Sequence, residues 1–98
     1  MTLVAGPVSL KTHHPAIKRI DVESAGEMYQ AAMTAFPSSD AAILCAAVAD
    51  YRPENASEQK IKRETEREMT LHLVPNPDIA ASLGAIKREG QVMVGFAL

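Results

Sequence analysis

Apolar residues along this chain fall into short runs whose period changes from segment to segment. Thr2-Leu3-Val4-Ala5 is a compact apolar stretch that meets Gly6-Pro7, the pattern of a buried strand ending at a turn. Ile17, Ile20 and Val22 sit in a β-branched segment, residues 17–22, that predicts a second strand near a sheet edge. From Ser24 the period becomes helical. Ala25, Met28, Ala32, Ala35 and Phe36 recur mainly at spacings of three and four behind Ser24 and Glu27, an S-x-x-E capping box, so the segment predicts an amphipathic helix ended by Pro37. Asp40 to Val48 has too many consecutive small apolar residues for a half-exposed strand and predicts a central strand covered on both faces.

That run stops at Asp50-Tyr51-Arg52-Pro53, an acid, an aromatic and a base before a proline, which is how a parallel strand passes into a functional loop. In open α/β sheets ligands sit beyond the carboxyl ends of the strands, so these residues fall where chemistry is expected. From Pro53 to Arg67 the chain is polar, with Ile61 set between Lys60 and Lys62, and reads as an exposed arm. Met69 to Val74 alternates at period two and predicts a strand that pairs with Lys60-Ile61-Lys62 as a hairpin or with another subunit. Asn76-Pro77-Asp78 predicts a helix start with Asn76 as N-cap and Pro77 in the first helical position, and Ile79, Leu83 and Ile86 as its buried face. After Gly90, residues 91–96 form another apolar strand. Strands alternating with helices indicate an α/β fold.

Composition narrows the function. A chain of 98 residues is at most one domain, and a domain of this size buries about two-thirds of its unfolded surface. A net charge of -2, from 10 basic and 12 acidic residues, provides no field for nucleic acid or an anionic membrane, so any anion site is local. Cys45 is the single cysteine and lies in an apolar run, which predicts a buried thiol and a cytoplasmic protein. No apolar stretch approaches the roughly 18 residues of a membrane span, and the first residues lack a signal-peptide layout.

The residue types leave few centres for chemistry. The helix start near Pro77 offers free N–H groups, but Pro77 contributes none and Asp78 already brings negative charge, so a sugar or base suits it better than a phosphate. Lys60, Lys62 and Arg63 can meet a polyphosphate or form a solvated face among Glu58, Glu64, Glu66 and Glu68. Asp50 can hold a metal, accept a hydroxyl hydrogen bond or pair with Arg52. His13 and His14 are adjacent and His72 is distant, which is not metal-ligand spacing, so no metal is assigned to the histidines. Gly6-Pro7 matches neither a dinucleotide fingerprint nor a P-loop, and Cys45 has no neighbouring histidine to activate it. The residues alone lead as far as a nucleotide-site candidate on an α/β fold.

Several segments, in order and nearly end to end, resemble phosphopantothenoylcysteine synthetase, the phosphopantothenate-cysteine ligase of coenzyme A biosynthesis. They are residues 3–10 (LVAGPVSL), 20–25 (IDVESA), 46–53 (AAVADYRP), 59–62 (QKIK), 73–79 (LVPNPDI) and 94–97 (VGFA). The resemblance is to the bacterial form, often fused behind a flavin-dependent decarboxylase, which uses CTP and magnesium to convert the carboxylate of phosphopantothenate to an acyl-cytidylate from which cysteine displaces CMP. It implies a Rossmann-like, mostly parallel sheet flanked by helices, with a protruding flap arm at about residues 53–74 and a homodimer formed through residues 60–74. Leu44, Cys45 and Ala46 would line the nucleotide site with backbone groups and Asp50 would contact the nucleotide. Pro77, Asp78, Ile79 and Ala80 would hold the cytidine end, Phe96 would pack on the nucleotide, and Lys60 would act on the charged reaction centre.

Relative to that family, residues 1–98 correspond to the central part of one domain, an incomplete domain without the glycine-rich first strand or the later helix and triphosphate-binding lysines. The expectation is a fragment inactive alone that exposes apolar sheet surface at Ile43, Leu44 and Val92. Two other readings stay open. Small-residue strands followed by polar loops also occur in NAD(P)-dependent oxidoreductases, against which the missing glycine fingerprint counts. A non-catalytic dimerisation module could use the arm from Lys60 to Val74 to extend a partner's sheet.

Overall fold

The structure, a computed structural model of the chain, describes residues 1–54 and 70–96. Its elements are β1 (Thr2–Ala5), β2 (Lys18–Asp21), α1 (Ala25–Ala35), a 3-10 turn (Phe36–Ser38), β3 (Ala41–Leu44), β4 (Tyr51–Pro53), β5 (Leu73–Pro75), α2 (Ile79–Ile86) and β6 (Val92–Gly95). β1 pairs parallel with β2, β3 parallel with β6, and β4 antiparallel with β5. Parallel strands need a crossover, and α2 forms part of the one that brings the chain back to β6. Between β1 and β2 the chain crosses without a helix, and Arg19 fastens that loop by donating to the Leu10 carbonyl at 2.7 Å and the Thr12 hydroxyl at 2.9 Å.

α1 starts where the capping box places it. Ser24 Oγ accepts from the Glu27 N–H at 3.1 Å, while the Glu27 carboxylate reaches back to accept from the Glu23 N–H and the Ser24 hydroxyl, both at 3.3 Å. The helix stops at Ala35 and tightens into the 3-10 turn containing Pro37, whose missing N–H cannot extend the ladder. Phe36 turns inward and packs with Ile79 and Leu83 of α2. Met28, Tyr29, Ala32, Met33, Ala42, Leu44, Val48 and Met93 surround them, so one apolar cluster joins both helices to the β3–β6 pair.

Gln91 ties the two ends of this layer together. Its Nε2 donates to the Phe36 carbonyl at 2.9 Å and the Ser39 carbonyl at 2.7 Å, and its Oε1 accepts from the Arg88 N–H at 2.8 Å. Gly90 completes the turn into β6 at φ 91°, a left-handed conformation that a β-carbon would strain.

Four expectations are corrected. The strand within Asp40–Val48 is regular only over Ala41–Leu44, and it is not covered on both faces, because Ile43 is 69% exposed. Ala42 and Leu44 take the packed face, which leaves Ile43 with Val92 and Val94 on the open one. Exposure of Ile43 and Val92 was anticipated, whereas Leu44 is half-buried against the core. Ile86 is also on the surface, at the end of a helix whose buried face is Ile79 and Leu83. Tyr51–Pro53 is a strand rather than a loop, and it takes β5 as its antiparallel partner. The expected pairing with Lys60-Ile61-Lys62 lies outside the described residues.

Leu83→Ala is expected to remove about 3 kcal/mol of unfolding free energy, because Leu83 is 2% exposed in a small cluster with little else to compensate. Gln91→Leu should cost about 1–3 kcal/mol by leaving the Ser39 carbonyl without its donor and the Phe36 carbonyl with the Ser39 N–H alone. Urea unfolding followed by circular dichroism checks both. Midpoints within error of the parent chain would contradict the assigned core.

Candidate nucleotide-facing site

β3 and β6 end side by side, with Leu44 opposite Gly95, and the Phe96 N–H extends the ladder by donating to the Leu44 carbonyl at 3.0 Å. Beyond these carboxyl ends the chain leaves β3 through residues 45–50. The first turn of α2 reaches the same end because Ile79 packs into the cluster that contains Leu44 and Val48. Three segments that are distant in sequence, 44–50, 76–80 and 95–96, are thereby gathered at one end of a parallel pair, where α/β folds place ligands.

Hydrogen bonds join the first two segments. The Asn76 backbone N–H donates to the Asp50 carbonyl at 2.8 Å and its side-chain Nδ2 donates to the Ala49 carbonyl at 2.8 Å. Arg52 Nη1 donates to the Pro75 carbonyl at 2.8 Å and to Asn76 Oδ1 at 3.3 Å. Arg52 therefore turns to the loop before α2, and the pairing with Asp50 considered from sequence is not formed. Asn76 is not the N-cap, and Pro77 lies outside the helix. Asp78 caps α2, its carboxylate accepting from the Ala81 N–H at 3.0 Å.

With Asp78 as cap, Ile79 and Ala80 occupy the first two helical positions, whose N–H groups have no acceptor inside the helix. They are donors for a ligand carbonyl or hydroxyl, and the adjacent Asp78 carboxylate disfavours phosphate. The Ile79 side chain is buried, so its contribution can only be through the backbone. Asp78 and Ala80 are exposed and Pro77 is half-buried.

At the strand ends, Leu44 is half-buried while Ala46 and Asp50 are exposed. Cys45 is exposed as well, in contrast to the buried thiol anticipated, because it follows Leu44 onto the side away from the core. Phe96 is 69% exposed and offers a free aromatic ring beside these backbone groups. Lys60 lies outside the described residues, as do Lys62 and Arg63.

Asn76 is not among the site residues anticipated, whereas Arg52 lies in the segment where chemistry is expected but had no contact assigned beyond Asp50. The signal for Asn76 was its place between Pro75 and Pro77, neither of which has an N–H, so every donor of that tripeptide belongs to Asn76. Among the described residues the ion pair is Arg19 with Asp21 at 2.8 Å, on β2 of the separate β1–β2 pair. No group of three or more His, Cys, Asp or Glu among them is placed to hold a metal ion. His14 serves a turn, its Nδ1 accepting from the Ala16 N–H at 3.0 Å. Among the described residues no helix is long and apolar enough to cross a membrane.

Residues 1–98 match the family described as DNA/pantothenate metabolism flavoprotein C-terminal domain. The chain is 50% identical over 98 residues to the coenzyme A biosynthesis bifunctional protein CoaBC of Vibrio parahaemolyticus, covering 99% of this chain and 24% of that one. It is 51% identical over 98 residues to a cysteine/cysteine sulfinic acid decarboxylase of an unknown prokaryotic organism, covering 100% of this chain and 27% of that one. The chain thus spans about a quarter of the length of these relatives. The crystal structure of the C-terminal domain of a CoaBC protein superimposes with a TM-score of 0.74 at 32% identity, over 99% of this chain and 41% of that one. By full-length family match, sequence identity and shared fold, the chain belongs to the DNA/pantothenate metabolism flavoprotein C-terminal domain family, whose synthetase part its motifs resemble.

Proposed function

We propose that this chain is the central, nucleotide-facing part of a phosphopantothenoylcysteine synthetase domain acting in coenzyme A biosynthesis in the cytoplasm. The observation that carries the reading is the convergence of residues 44–50, 76–80 and 95–96 at the carboxyl end of the β3–β6 pair. In the proposed reaction the phosphopantothenate carboxylate attacks the α-phosphorus of CTP, forming the acyl-cytidylate and releasing pyrophosphate. The amine of cysteine then attacks the acyl carbon, and CMP leaves as the amide forms.

The residues have distinct parts in this scheme. Backbone groups at Leu44, Cys45 and Ala46 border the nucleotide, Asp50 accepts from it, and Phe96 packs on its flat surface. Pro77 and Asp78 shape the cytidine end, where the Ile79 and Ala80 N–H groups serve as donors. Reading cytosine rather than adenine there is a matter of matching fixed donors and acceptors to the base edge. Lys60 offsets the repulsion between an attacking carboxylate and a phosphate, two anions brought together. Magnesium fits this donor set as an ion carried on the triphosphate, since it commonly keeps several waters and takes only one or two carboxylates, and among the described residues of the site Asp50 is an exposed carboxylate not used to cap a helix. When bound it neutralises phosphate charge.

The names of the relatives support a longer native protein in which a decarboxylase is fused to the synthetase. A homodimer through the arm is supported by the apolar surface of β4 and β5, where Tyr51 is 60% and Leu73 56% exposed, with Leu71 beside them at 40%.

Titration of the chain with magnesium and CTP, followed by amide NMR, is expected to shift Ala46, Asp50 and Ile79, while magnesium and ATP leave them in place. Equal shifts with both nucleotides would remove the cytidine assignment, and none with either would remove the nucleotide site. CTP should also slow alkylation of the exposed Cys45 severalfold. In a CoaBC protein carrying the full domain, Lys60→Gln is expected to lower the rate of CTP-dependent amide formation roughly a hundredfold or more. An unchanged rate would take Lys60 out of the reaction.

A further inference from the structure

The segments that flank the proposed nucleotide site belong to different loops, and backbone connectivity does not hold them together. Ala49 and Asn76 are 27 residues apart, yet the Asn76 amide bridges them at 2.8 Å. Its orientation is determined by its neighbours. Nδ2 faces a carbonyl and Oδ1 faces a guanidinium, and rotating the amide would set donor against donor and acceptor against acceptor. Arg52 contributes from β4 by holding both Asn76 Oδ1 and the Pro75 carbonyl. The result is a clasp of four hydrogen bonds, two from Asn76 and two from Arg52, that carries the β4–β5 pairing past Tyr51 and Pro75 into the 45–50 loop.

We propose that Asn76 and Arg52 are positioning residues for nucleotide binding: they set the Asp50 loop against the first turn of α2, so that the groups on either side of the site keep one spacing. This rests on the nucleotide reading of the site. The chemistry at position 76 is demanding because one side chain must donate to Ala49 while accepting from Arg52. Aspartate keeps the acceptor and loses the donor, and alanine loses both. At position 52 a lysine retains a cation with several donors but loses the planar fork, so it should restore part of what alanine removes. Pro75 and Pro77 limit the backbone freedom of Asn76 and supply no competing N–H, which concentrates the link in this one residue.

The test uses the full chain and two readouts. Hydrogen exchange without nucleotide reads the clasp itself: in Asn76→Asp and Arg52→Ala, the Asn76 amide, which donates to the Asp50 carbonyl, should exchange about tenfold faster, while those of β3 and β6 stay as they were. Calorimetric titration with magnesium and CTP should then show affinity about tenfold weaker in each variant, with Arg52→Lys recovering part of the loss. Arg52→Ala combined with Asn76→Ala should weaken binding no more than Asn76→Ala alone, since the two act as one unit.

Unchanged exchange in the variants would overturn the clasp regardless of nucleotide. Faster exchange with parent-like CTP affinity would overturn the positioning role and leave the nucleotide site standing. A parent chain that fails to bind CTP would overturn the nucleotide reading and the positioning role with it. A thermal midpoint lowered alongside faster exchange in β3 and β6 would identify general destabilisation and likewise overturn the proposal.

Discussion

Phe36, Ile79 and Leu83 make the contact on which the described fold depends. Phe36 comes from the end of α1, while Ile79 and Leu83 form the inner face of α2, and together they close over Ala42, Leu44 and Met93 of the parallel pair. Hydrophobic burial has no preferred direction, so this cluster alone would tolerate sliding of the helices. Direction comes from Gln91, whose amide binds carbonyls on the far side of the cluster, and from the β3–β6 ladder. A small apolar contact supplies the attraction and a few polar groups select the arrangement.

The same division of labour recurs at the carboxyl end of the sheet. Packing of Ile79 brings the α2 start near residues 44–50, and the β4–β5 ladder with the hydrogen bonds from Asn76 and Arg52 joins the two loops. Burial of Ile79 also clarifies how the site can work. Its side chain is committed to the core while its N–H points out of the first helical turn, so stability and recognition use different atoms of one residue.

Among the described residues the opposite face of the β3–β6 pair has no such cover. Ile43, Val92, Val94 and Phe96 share it with Cys45, and all are exposed. This explains why a segment that reads as the centre of a sheet occupies an open face here. Its composition suits burial on both sides, whereas the described residues cover one.

Much of the architecture was legible in the sequence because it depends on local chemistry. Ser24 and Glu27 announce a helix start through short-range hydrogen bonds, Pro37 stops the ladder through a missing donor, and the β-branched runs mark strands through their sterics. The motifs from Ala46 to Pro53 and from Leu73 to Ile79 likewise identified the family, since their residue order is itself the signal. Only the tertiary structure decided which strand meets β5, which residue caps α2, and that Cys45 and Ile86 face outward. Those outcomes turn on partners far away in the chain. Asp78 can cap because Asn76 is engaged with Ala49 and Asp50, and Arg52 leaves Asp50 because the Pro75 carbonyl and Asn76 lie within its reach. Competition for hydrogen-bond partners is settled by distances in space, and sequence spacing does not contain them.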